Sequence, residues 1–156
     1  MKGLKENKGF TLIELLAVIV VLAIVMVLAV TTVLPYMGQA RKDAFATEAE
    51  AAKSAAANAV SLIMLGNKLT ENTDYKVISG GYCFTIDQLV GAGLLETETG
   101  KYTGVVKATS TNDKAYTYEV HMSDAASYVI KSGAEVKGED VVESASTPEG
   151  FLTSCG

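Results

Sequence analysis

Lys8-Gly9-Phe10-Thr11-Leu12-Ile13-Glu14-Leu15 opens an apolar run that continues to Leu34, and from Leu15 to Val30 no polar residue occurs. The run Phe10–Leu34 is 25 residues long. As a helix it extends ~37 Å, enough to cross the hydrocarbon core of a bilayer. A secretory signal peptide would have a shorter apolar core ending at a small-residue cleavage site. This run is longer and leads into more helix. Two details also separate it from an ordinary signal anchor. The carboxylate Glu14 stands inside the apolar run, and the basic segment carrying Lys2, Lys5 and Lys8 stops at Gly9 just before it.

On these residues the chain resembles the type IV pilins and pseudopilins, whose precursors carry a short basic leader before such a junction. The likeness is specific over about 25 residues and extends to the rest as a layout: long helix, small β head, cysteines in the head. It implies cleavage between Gly9 and Phe10 by a prepilin peptidase and N-methylation of Phe10. It also implies extraction from the membrane by an assembly platform and its ATPase, and packing of copies into a helical filament. The implied fold is α+β, one long N-terminal helix against a small antiparallel sheet. The division is a leader over 1–9, a hydrophobic half-helix over 10–34, an amphipathic half-helix over 35–66 and a head over 67–156.

Glu14 gives the resemblance a physical content. A carboxylate in hydrocarbon costs roughly 2.5–3.5 kcal/mol on insertion scales, so it needs a partner or a shallow position. Cleavage after Gly9 creates an α-ammonium on Phe10 that can pair with Glu14 of the same or a neighbouring subunit. Moving apolar side chains from lipid into a filament core gains little hydrophobic free energy, because lipid is as apolar as leucine. What changes is packing and the fate of the charges. The pair would therefore select and register each incoming subunit, and removing Glu14 would leave an unpaired buried ammonium. Thr11-x-x-Glu14 also has the form of a capping box, a lesser use of the same carboxylate.

Pro35 and Gly38 follow the apolar run. Proline removes a helical hydrogen bond and clashes with the preceding turn, and glycine weakens the same region, so a kink is expected at about residues 31–38. Beyond it the alanine-rich segment Gln39–Leu65 favours helix. Phe45, Ala49, Ala52, Ala56, Ala59 and Ile63 follow spacings of four and three, a narrow stripe with Val60 beside it that would face the head. Gly66-Asn67 marks the stop. A helix over Phe10–Leu65 suits a filament subunit better than a globular core.

In the head, residues 67–82 read as a polar loop with a short strand at Tyr75–Ile78. Thr85-x-x-Gln88 has capping-box form and predicts a helix Ile86–Val90 ending at Gly91. Three strands follow: Tyr102–Ala108, Ala115–Met122 and Ser127–Lys131. The second places Tyr116, Tyr118, Val120 and Met122 on one face and Thr117, Glu119 and His121 on the other. The tyrosine row reads as core. The expectation is a three-stranded meander on the helical stripe, with His121 on the outside. Residues 134–150, carrying Glu135, Glu139, Asp140, Glu143 and Glu149, read as a solvated acidic stretch crossing the sheet, without the spacing of a calcium loop.

Cys83 and Cys155 are the only cysteines. An even count in an exported head predicts a disulfide, which would tie down the C-terminal tail. Closing a loop of about 73 residues is worth up to ~4 kcal/mol in the chain-entropy model. In Gram-negative pilins a similar pair frames a loop late in the head, whereas here the loop takes in nearly the whole sheet. No metal and no cofactor are expected, since His121 is the only imidazole and no cysteine pair has ligand spacing.

The net charge is −5; losing residues 1–9 removes three lysines and Glu6, leaving 10 Lys+Arg against 17 Asp+Glu, or −7. An acidic exterior gives no footing for nucleic acid. A nucleophile–base pair or phosphate loop is also missing, so the sequence argues against an enzyme. The leading expectation is a structural pilin, held with its head outside the cytoplasm by a single span and later carried in a cell-surface pilus for adhesion, motility or aggregation. The alternatives are a pseudopilin of a secretion or DNA-uptake machine and, in a different class, a membrane-anchored adaptor that keeps its leader.

Overall fold

The computed structural model describes residues 9–67, 69, 75–110, 115–124, 127–133, 135–146 and 148–155. The leader up to Lys8 and part of the expected 67–82 loop lie outside them. The chain forms two compact units that meet at Gln39 and Ala40.

One helix, α1 (Leu12–Met64), contributes to both units. It begins two residues later than expected and ends one residue earlier. Helical structure is continuous across Pro35 and Gly38. None of the described side chains of the first unit is buried: Phe10, just before α1, is 88% exposed, and within α1 Leu12 is 85% and Val30 49%. The hydroxyls of Thr31 and Thr32 return to the carbonyls of Leu28 and Ala29 at 3.0 and 3.1 Å. This satisfies the polar groups of an otherwise apolar segment within the helix itself. By length and composition this helix can cross a membrane.

The second unit has its own core. A six-stranded antiparallel sheet runs in sequence order: β1 (Lys76–Ile78), β2 (Gly81–Thr85), β3 (Thr103–Thr109), β4 (Thr117–Ser123), β5 (Tyr128–Ser132) and β6 (Val141–Glu143). The expected three-stranded sheet is therefore corrected to six. The three anticipated strands are β3, β4 and β5, each displaced by one or two residues. The short strand at Tyr75–Ile78 is β1, extended through a tight turn into β2. The acidic stretch supplies β6 between two 3-10 turns, Gly138–Asp140 and Ser144–Ser146.

The front of the sheet carries Phe84, Val106, Ala108, Val120, Met122, Ile130 and Val141, which form one cluster with the helix. The helical side is wider than the expected stripe. Ala46 and Ala55 are buried together with Phe45, Ala49, Ala52, Ala56, Ala59 and Val60. Five of these alanines, Ala49 to Ala59, lie within eleven positions, so the backbone of α1 can sit close to the sheet. The tyrosine row belongs to this face: Tyr116 and Tyr118 pack at the edge of the core, where Tyr82 lies 6.0 Å from Tyr116 and 5.6 Å from Tyr75, centroid to centroid. The Glu50 carboxylate ties the acidic stretch to the helix by accepting from the Val136 N–H at 3.4 Å.

The helix ends follow local chemistry. Gly66 takes φ +78°, its N–H donates to the Ile63 carbonyl at 2.9 Å, and that of Asn67 donates to Leu62 at 3.0 Å. These two bonds close the Schellman arrangement anticipated from Gly66-Asn67. Between β2 and β3, α2 (Ile86–Gly91) starts from the anticipated capping box. The Gln88 N–H donates to Thr85 Oγ1 at 3.2 Å, and the Thr85 N–H donates to Gln88 Oε1 at 2.8 Å. Ile86 and Leu89 are its buried residues. Gly104 in β3 has φ +138°, and a Cβ there would collide with the His121 carbonyl oxygen of β4. Only glycine fits this position.

Candidate functional site: the N-terminal junction and the back of the sheet

The N-terminal junction comes first. Gly9, Phe10 and Thr11 lie outside the helix and are exposed, an accessible segment immediately before a rigid one. Thr11 is the N-cap. Its carbonyl accepts from the Leu15 N–H at 3.2 Å. The Glu14 N–H donates to Thr11 Oγ1 at 3.3 Å, while the backbone N–H and the hydroxyl of Thr11 both donate to Glu14 Oε2, at 2.9 and 2.8 Å. The capping box given second place in the sequence is fully formed. Before any processing, Glu14 is held by its own first turn, at a helix N-terminus whose dipole favours a negative charge. This lessens the penalty of taking that carboxylate toward hydrocarbon and fixes its position one turn from Phe10.

The back of the sheet is the second feature. Cys83 is fully buried on β2 and bonded to Cys155, with Cα atoms 5.8 Å apart and 72 positions between them in sequence. The disulfide lays the C-terminal tail, residues 148–155, across the face that carries Cys83, Lys107, Glu119 and His121. The Lys131 Nζ donates to the Glu149 carbonyl at 2.9 Å, and the Phe151 ring lies 5.8 Å from the imidazole of His121.

The expectation that His121 faces outward is overturned. Only 1% of it is exposed, because the tail covers it. Its Nδ1 accepts the Leu152 N–H at 3.3 Å, which assigns the neutral tautomer with the proton on Nε2. Nε2 lies 2.9 Å from Glu119 Oε1, yet that approach is misdirected for a hydrogen bond and leaves Nε2 without a partner of proper angle. We treat the contact as electrostatic proximity. Burial pushes the His121 pKa below its ordinary value; Glu119 opposes this, and Lys107 and Lys131 reinforce it.

The sequence anticipated the cysteine pair but not what the bridge covers. Alternation along β4 separates its two faces, and nothing local states that a segment 30 residues later returns over the second one. The apolar pair Phe151-Leu152, two residues ahead of Cys155 with Thr153 and Ser154 between, is the signal that could have suggested it.

A capped, exposed helical segment long and apolar enough to cross a membrane, followed by an α+β unit with its own core, fits a protein of pilin-like architecture. Residues 4–30 match the family model of the prokaryotic N-terminal methylation motif. The chain thus carries the signature of type IV prepilins and pseudopilins. The motif implies prepilin-peptidase processing and filament assembly in general. No curated protein and no solved structure matches the chain.

Proposed function

We propose that this chain is the structural subunit of a type IV pilus. Cleavage between Gly9 and Phe10 and methylation of Phe10 produce the mature N-terminus. The subunit waits in the cytoplasmic membrane with its head outside. An assembly ATPase and platform then extract it, and copies of α1 pack side by side into a surface filament. The observation that carries this reading is the methylation motif leading into a helix whose described apolar residues before Gln39 are all exposed.

The Thr11–Glu14 capping box refines the route. Glu14 enters the membrane already engaged with Thr11. Processing then places an ammonium on Phe10, four positions before Glu14, and the carboxylate becomes the counter-charge for that group in its own or a neighbouring subunit. Pro35 and Gly38 are the point where α1 can yield during assembly, since proline removes one hydrogen bond of the ladder and glycine lowers local helix stability. Adhesion, motility or aggregation would be properties of the filament and not of a pocket in the head.

A secretion or DNA-uptake pseudopilin shares the motif and Glu14. The Cys83–Cys155 bridge favours the pilus, because an exposed filament has most use for a cross-linked head. The test is the intact mass and N-terminal sequence of the protein in material sheared from the cell surface. A chain beginning at methylated Phe10, two hydrogen atoms lighter for one disulfide, supports the pilus. A processed chain confined to membranes supports the pseudopilin. A chain beginning at Met1 and found only in membranes sinks both and leaves an anchored adaptor.

A further inference from the structure

His121 has no part in assembly, yet it is the only histidine and is buried beneath the tail. The only polar contact that its Nδ1 makes to the tail is as an acceptor for the Leu152 N–H. An imidazole can accept there only while neutral. Protonation puts an N–H on Nδ1, so two donors face each other across 3.3 Å.

We propose that His121 is a pH-sensitive latch for the C-terminal tail: neutral, it holds Phe151 and Leu152 on the back of the sheet, and protonated, it lets them lift while the Cys83–Cys155 bridge keeps the tail tethered. The charged groups around the ring act on its protonation in both directions. Glu119, on the same strand, would attract an imidazolium at 2.9 Å. Lys107 on β3 and Lys131 on β5 oppose it, and Lys131 stands directly across the ladder from His121. From the tail, the Glu149 carbonyl is taken by Lys131 and the apolar Phe151 ring faces the imidazole. The Glu119 attraction acts at Nε2 and does nothing for the clash at Nδ1.

The tail has room to move. Beside it lies a cleft of about 580 Å³ lined by Ile78, Lys107, Thr109, Phe151 and Leu152 among others. Release would expose Phe151 and Leu152, which are half-buried on this face. An acidic medium would thus change the apolar character of one face of the head without unfolding it.

The single histidine makes the test direct. The full chain, labelled with 15N-histidine and held in detergent micelles, gives one imidazole to follow by NMR. The proposal expects the Nε2–H tautomer at neutral pH, with Nδ1 as a hydrogen-bonded acceptor, and a titration midpoint below ~6.5. Corrected for intrinsic exchange, protection of the Leu152 amide should fall by about tenfold, the value of one backbone hydrogen bond, as pH drops through that midpoint. Protection of Met122, in the core of β4, should stay constant. His121→Gln keeps an acceptor without a titration and should make Leu152 protection independent of pH. The Nδ1–H tautomer at neutral pH, or Leu152 protection that does not change through the wild-type midpoint, would overturn the proposal even if the glutamine variant fails to fold.

Discussion

The two stretches of α1 on either side of Gln39 share one secondary structure and behave in opposite ways. Before Gln39 the helix is lined with leucine, isoleucine and valine, and every one of those side chains described is exposed. After Ala40 it is lined with alanine, and eight of its residues are buried against the chain's own sheet. In the proposed function the large exposed side chains pack against lipid and then against other copies. Small ones beside a sheet let two backbones approach and close a core. The helix is thus one element with two solvents, and the carboxylate at its start belongs to the half whose partner lies outside the chain.

The comparison breaks if damage crosses from one half to the other. Glu14→Ala should have the largest effect: surface filaments are lost, while the melting temperature of the head is unchanged. A lowered melting temperature would show that the halves are not independent. Phe84→Ala removes a fully buried side chain from the front of the sheet. It should destabilise the head by about 3–5 kcal/mol in denaturant titration and leave processing at Gly9 intact. Reducing the Cys83–Cys155 bridge releases a loop closed over 72 positions and should lower head stability by about 2–4 kcal/mol. The smallest effect sharpens the picture of the back face. The His121 pKa is depressed by folding, so the unfolded chain binds the proton more readily. The stability tied to neutral His121 is therefore complete above ~6.5 and is lost as pH falls through the lower folded pKa. His121→Gln should flatten that part of the pH–stability curve.

Legibility in the sequence follows the same division. The first half of α1 could be read residue by residue, because a membrane-length apolar run and a lone carboxylate are local facts. The Gly66-Asn67 stop and the Thr85–Gln88 cap were legible for the same reason. Strands β3, β4 and β5 alternate enough to be found. β2 was not: Gly80-Gly81 resembles a loop, and Cys83 and Phe84 are both buried, one under the tail and one under the helix, so no polar alternation marks the strand. β6 is three residues inside an acidic stretch. His121 was misplaced because alternation along one strand separates two faces without saying whether the second is wet. The cover comes from residues 148–155, and only the three-dimensional path fixed by Cys155 brings them there.

The central claim is that the unpartnered half of α1 finds its partner in other copies of itself. A single Val21→Cys substitution, in the exposed apolar stretch, tests this directly, since both native cysteines are already paired. Oxidative cross-linking of sheared surface material should give a covalent dimer, the largest species that one free thiol per chain allows, and the same substitution combined with Glu14→Ala should give none. Monomer alone from the assembled Val21→Cys material, or an undiminished dimer without Glu14, would contradict the account.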